Sequence, residues 1–260
     1  MSPVAAVVRK EIRTYFFSPI AYVVASVFLL LMGLLSYLAV LTASNRSLQM
    51  LRLQGSMPDL NVNELVFRPV FYNMAVVLLL VVPILTMRLF AEEKKLKTME
   101  LLLTSPVTVT DIVMGKFIAA MTVLAGMLAL SAAAPIALAA LPPYVEFRWT
   151  PILTAYLGVL LLGGLFLSAG LLASGLTENQ IIAVILSFGV LLLFWLFGWA
   201  GQVLSESALG KVLSYLSPIE HFENLVKGLV DTKDLVYFAA GIVFSIFLTH
   251  RVIDSQRWRR

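Results

Sequence analysis

The chain has 260 residues, 60% of them hydrophobic and only 13% charged, with a net charge of +4 at pH 7. Soluble domains carry about a quarter charged residues. A mean hydropathy of +0.93 therefore excludes an aqueous globule and makes lipid the solvent. No cysteine is present, and the two histidines, His221 and His250, show no HExxH spacing. Disulfides, thiolate metal sites and haem attachment are excluded, and a metalloenzyme has no ligand set.

Residues 1–18 predict an amphipathic helix lying in the membrane interface. Val4, Val7, Val8, Ile12, Tyr15 and Phe16 recur at helical spacing, while Arg9, Lys10, Arg13 and Thr14 fill the other face. Such a helix is either a plain anchor or a lever touching a cytosolic partner. Ser18-Pro19 then turns the chain into the bilayer. The apolar run that follows, 20–43, exceeds the 7–15 residues of a signal-peptide core and predicts a retained span.

Further apolar blocks at 70–90, 116–141, 151–174, 180–204 and 233–253 complete six transmembrane helices in an all-α fold with a single transmembrane domain. The sixth is the weakest, because its uncharged run, Leu235 to Thr249, is only 15 residues. It reaches across only if Lys233 and Asp234 sit in one headgroup layer and His250 to Ile253 in the other. Pro83 and Pro135 lie inside spans and predict kinks. With the N-terminus in the cytoplasm, 12 of the 19 Lys and Arg fall on the cytoplasmic side. The positive-inside bias thus places both termini there and reads the basic residues as orientation signals rather than a nucleic-acid surface. The closing run Arg257-Trp258-Arg259-Arg260 fits an interfacial anchor on membrane lipids.

Between spans two and three, residues 92–115 predict a charged helical hairpin. Glu93, Lys97 and Glu100 form one polar row, with Glu93 and Lys97 paired four residues apart. Leu96, Met99, Leu102 and Leu103 form an apolar row. Thr104-Ser105-Pro106 breaks the helix, and Thr108 with Asp111 has capping-box spacing for a restart. A connector needs only a few residues. Twenty patterned ones suit a docking surface, and a solvated connector is the plain alternative.

Residues 205–232 carry two more amphipathic stretches, flanking Pro218. The first has Leu209, Val212, Leu213 and Leu216, and the second has Phe222, Leu225, Val226 and Leu229. Two short helices dipping back into the outer leaflet fit this pattern. Glu220, His221, Glu223 and Asn224 gather at the break, where a hydrogen-bonding cluster is the simpler reading and a metal or proton site the sharper one.

The run Phe90-Ala-Glu-Glu-Lys-Lys-Leu-Lys-Thr-Met-Glu-Leu-Leu-Leu-Thr-Ser-Pro-Val resembles the signature of type-2 ATP-binding cassette (ABC) exporter permeases. Arg9-Lys10-Glu11, Phe17-Ser18-Pro19-Ile20, Pro83 to Arg88, Leu176 to Gln180, His221-Phe222-Glu223 and Gly228 to Asp234 extend the resemblance along almost the whole chain. The set is most similar to the gliding-motility-associated permeases. One departure is Lys97, where the family pattern has Gly.

The resemblance implies an ATPase-coupling interface at Glu92, Glu93, Lys94, Lys97, Met99, Glu100, Leu103, Thr104, Ser105 and Pro106. It implies an interfacial connecting helix with Arg9, Lys10 and Arg13, and a re-entrant outer gate with Leu216, Pro218, Glu220, His221 and Phe222. It further implies a multi-pass protein of the bacterial inner membrane, working as two permease copies with two ATPase subunits. An auxiliary membrane protein with a large extracytoplasmic domain completes the implied assembly. The chain lacks a GxxxxGK[ST] loop, so ATP and Mg belong to the partner and the permease itself is not an enzyme. A secondary transporter is disfavoured by uncharged span centres. A membrane enzyme lacks a visible catalytic constellation. A mechanotransmitter that moves an outer partner without moving solute fits the same features.

Overall fold

The computed structural model describes residues 2–54, 61–100, 107–139 and 148–257, and no β-strand occurs among them. Helix α1 (Pro3–Phe17) is followed by α2 (Pro19–Gln54). A π-turn (Asn63–Phe67) leads into α3 (Arg68–Thr86), and the short α4 (Ala91–Lys95) follows. Then come α5 (Val109–Ser131), α6 (Ala133–Ala139), α7 (Trp149–Leu176) and α8 (Gln180–Val203). Two nine-residue helices, α9 (Ala208–Leu216) and α10 (Pro218–Val226), precede α11 (Thr232–Arg257).

Six stretches are long and apolar enough to cross a bilayer: Pro19–Met50, Asn63–Lys95, Val109–Leu138, Trp149–Leu176, Gln180–Val203 and Thr232–Gln256. The chain is thus an all-α polytopic membrane protein. Helix α2 continues past its apolar run because no glycine or proline lies between Ala43 and Gln54. A continuous helix also satisfies every backbone group internally, which lipid demands.

Two spans form the centre. In the most apolar stretches of α3 and α7, 72% and 78% of residues are buried, against 17–33% in the other four. Helix α7 achieves this with small residues, among them Gly158, Gly163, Ser168, Gly170 and Ser174, which let neighbouring backbones approach. Phe28, Phe71, Met74, Leu78, Leu124 and Phe166 fill the space between. Buried hydroxyls turn back onto their own helices: Thr86 donates to the Val82 carbonyl at 3.0 Å and Ser168 to the Leu165 carbonyl at 2.7 Å. No polar atom of these residues then faces hydrocarbon unpaired.

The prolines act where their missing N–H groups fall. Pro135 cannot bond the Ser131 carbonyl, and the helix divides into α5 and α6 just there. Pro83 sits inside α3, which ends three residues later at Thr86.

Helix α5 starts on the capping box read from the sequence. The Thr108 hydroxyl oxygen accepts from the Asp111 N–H at 3.2 Å, and the Asp111 carboxylate accepts from the Thr108 N–H at 3.0 Å. Replacing Thr108 by Ala is expected to cost about 1 kcal/mol. A lower thermal midpoint in mild detergent measures this, with Thr110→Ala as the comparison that leaves the midpoint in place.

Candidate functional site

The base of the second span carries a closed ring of four charges. Lys10 and Glu11 come from α1, Glu93 from α4 and Lys116 from the first turns of α5. Lys116 Nζ lies 2.8 Å from Glu11 Oε1 and 3.0 Å from Glu93 Oε2. Lys10 Nζ lies 2.6 Å from Glu93 Oε1 and 3.6 Å from Glu11 Oε1. Each cation thus faces both anions and the ring is neutral. Lys116 is only 1% exposed, and the Phe90 ring covers its ammonium at 5.2 Å.

Helix α1 reaches this ring because its apolar face turns into the protein. Val7 and Glu11 are buried, and a Cβ on Gly115 would stand 2.6 Å from Val7 Cγ1, so only glycine admits this approach of α1 to α5. Of the apolar face read from the sequence, Val7 is buried and Val4, Val8, Ile12 and Tyr15 are half-buried, while Phe16 stays exposed. Tyr15 adds a tie, donating to the Leu85 carbonyl at 2.9 Å. Lys10 loses solvation on burial, but Glu93 and Glu11 outweigh this and hold its pKa above the usual 10.5. Its contribution to stability is therefore complete at neutral pH and is lost only as pH rises past that value.

Helix α4 has no cap of its own. Ser174 of α7 provides one: its hydroxyl oxygen accepts from the Phe90 and Ala91 N–H groups at 3.0 and 3.1 Å, and the hydroxyl donates to the Met87 carbonyl at 3.1 Å. Lys94 donates to the Gly175 carbonyl, which also accepts from Gln256 of α11 at 3.4 Å. Arg88 grips Glu92 at 2.8 Å and the Ser18 hydroxyl at 2.6 Å. The elements that meet here are α1, the α1–α2 junction, α4, α5, α7 and α11.

The continuous helix expected from residue 92 onward breaks at Lys97, whose φ is +58°. Left-handed backbone costs a non-glycine residue roughly 1–2 kcal/mol. The break also shifts the helical phase. Leu96 is 63% exposed, whereas Met99 is buried in the core, so the two do not share a row. The anticipated Glu93–Lys97 pair does not form; Glu93 binds Lys10 and Lys116 instead. Of the sequence-derived coupling residues, Glu92, Glu93 and Lys94 face inward onto partners. Lys97 and Glu100 are exposed beside Lys95 and Leu96. Leu103, Thr104, Ser105 and Pro106 lie outside the described residues.

At the opposite end, α9 and α10 meet at Ser217-Pro218. His221 Nε2 lies 3.0 Å from the Tyr215 carbonyl, which only accepts, so this nitrogen carries a proton. Its Nδ1 lies 2.6 Å from Asp234 Oδ1, and Asn224 donates to Asp234 Oδ2 at 2.9 Å. Tyr237 stacks on the imidazole at 4.0 Å and donates to the Leu216 carbonyl at 2.7 Å. Asp234 is completely buried within the protein. The donors of α10 make that burial affordable.

Glu223 points elsewhere, to Arg68 at 3.2 Å and Lys227 at 2.7 Å. Burial pushes its carboxyl up, but those two cations outweigh it and hold the pKa below 4.5. The latch is therefore complete above pH 4.5 and is released as pH falls through the lowered value. Helix α10 closes on Gly228, at φ +86°, with the Leu229 N–H reaching the Asn224 carbonyl at 2.9 Å. Phe222 is buried beneath α10, Leu216 is exposed and Glu220 lies at the edge. No group of three metal-ligating side chains occurs among the described residues.

Sequence reasoning missed Glu11, Lys116, Ser174, Asp234 and Arg68 as structural partners. For Lys116 a signal existed: a lone cation between Gly115 and Phe117 at the start of an apolar span needs a counter-ion.

Six apolar helices, four of them around a buried α3–α7 pair, define a multi-pass integral membrane protein. The family model described as "ABC-2 family transporter protein" matches residues 5–253, and the chain belongs to that family. Its members are membrane subunits whose partner is an ABC ATPase. No curated protein matches the chain.

Two outcomes are expected. Lys116→Met leaves Glu11 and Glu93 sharing one exposed cation, and breaking a buried pair costs about 3–5 kcal/mol. The thermal midpoint should fall far more than for Lys211→Met, with partial recovery in Lys116→Met/Glu11→Gln. Lys97→Gly should raise the midpoint, by about 1 kcal/mol in stability, because it relieves the left-handed strain.

Proposed function

We propose that this chain is the permease subunit of an ABC transporter, with α4 and the segment after it as the element on which a separate ATPase dimer pushes. The observation that supports this most is the charge ring. It ties α4 to α1 and to the base of α5, while Ser174 and Gly175 tie α4 to α7. A push on the exposed tip, Lys95 to Thr98 with Glu100, is thereby delivered to several spans as one body. In this reading the basic end is cytoplasmic, in keeping with the positive-inside bias, and the membrane is the bacterial inner membrane. Two copies of the permease act together, and α9–α10 form the outer gate or the contact for an auxiliary extracytoplasmic protein.

A mechanotransmitter without solute passage is the second reading. The cavity among Met32, Phe71, Ser131 and Tyr156 holds only about 10 Å³, too small for a solute, which supports this reading.

Photocrosslinkers at Leu96, Lys97 and Glu100 are expected to capture the cognate ATPase. The combined alanine variant at these three positions should lower permease-stimulated ATP turnover at least tenfold while keeping its thermal midpoint. Normal turnover together with crosslinks to lipid alone would remove the coupling assignment.

A further inference from the structure

We infer that the angle between α1 and α2 is a binding site for one anionic phospholipid, held by its phosphate. The cleft there has a volume of about 960 Å³. One stripe of α1 lines it, formed by Ala6, Arg9, Lys10, Arg13, Thr14 and Phe17 at spacings of three and four, and Arg88 of the α3–α4 turn faces it from the far side.

The charges on this stripe are not equivalent. Lys10 is committed to Glu93 and Arg88 to Glu92 and Ser18. Arg9 and Arg13 are exposed and have no ion pair among the described residues. They sit four residues apart, one turn of helix, so both guanidinium groups can close on a single phosphate, which Arg recognises through paired N–H donors. No acidic side chain lines the cleft.

The apolar part of the site selects a lipid over free phosphate. Phe17 is 86% exposed at the mouth of the cleft. From Ile20 a continuous stripe runs down α2 through Val23, Val27, Leu30 and Leu34, each 40–68% exposed. Cations at the head and an apolar rail leading into the membrane match a diacyl phospholipid with a net negative headgroup. The packing of α1 enforces this polarity: because Val7 and Glu11 are spent on α5, only the cationic stripe is left to face outward.

The test is native mass spectrometry of the full chain, titrated with phosphatidylglycerol, phosphatidylcholine, inorganic phosphate or a polyglutamate peptide. Phosphatidylglycerol should bind at least about tenfold more tightly than phosphatidylcholine. Arg9→Ala/Arg13→Ala should lose roughly 30-fold, since each basic residue beside an anionic headgroup contributes roughly fivefold. Arg9→Lys/Arg13→Lys should keep most of the affinity. Arg251→Ala, which removes an exposed cation at the same end, should change nothing. In the wild-type chain, photoactivatable phosphatidylglycerol should label residues 6–20. The proposal is overturned if the two lipids bind equally, if the double alanine variant loses no more than Arg251→Ala, if inorganic phosphate binds as tightly as lipid, if polyglutamate displaces the lipid at equal concentration, or if the label spreads over all spans.

Discussion

A charge that leaves water for a protein interior must be met there by an opposite charge and by hydrogen bonds, or it costs several kcal/mol. Lys116, with its ammonium sealed under Phe90, imposes that requirement at the base of the bundle. One carboxylate would neutralise it. The fold brings two, from helices far apart in the chain, and then balances the surplus with Lys10. The arrangement is satisfied only when α1, α4 and α5 are all in place. Three pieces of chain far apart in sequence thus become one unit, and the packing of Val7 on Gly115 reinforces it.

Helix α7 has the complementary role. Its small residues allow α3, α5 and α11 to close around it, and its last turns supply Ser174 and the Gly175 carbonyl to the start of α4. The central helix of the membrane bundle is therefore also the foundation of the exposed charged element. At the far end, α10 rests against the same helix, with Phe222 and Leu225 near Gly158. One helix contacts both candidate sites, the mechanical requirement for communication between them.

The spans were legible because lipid enforces a composition that no other environment does: Ile20 to Ala43 or Ile181 to Leu204 have no second reading. The short helices around Pro218 were legible from the period of Phe222, Leu225 and Val226. What failed were statements about partners. The amphipathicity of α1 shows that Val4 and Val7 share a face, but not whether lipid or Gly115 covers it. Glu93 and Lys97 are spaced to pair, yet a single left-handed residue removes the spacing. Asp234 reads as a charge at the head of the last span, but nothing local shows that His221 and Asn224 of α10 meet it. Period reports a face; the identity of what meets that face is a long-range property that local sequence does not carry.

The length of α2 has a geometric consequence. Thirty-six residues at 1.5 Å each make a rod of about 54 Å, well beyond the roughly 30 Å hydrocarbon thickness. Its foot is set by Ser18, whose extended backbone breaks the helix and whose hydroxyl is held by Arg88. A rod anchored at one end converts angle into distance: a rotation of about 10° at the foot sweeps the far tip through about 9 Å. Small angular changes at the charged base are thus magnified into displacements the size of a helix diameter on the other side of the membrane.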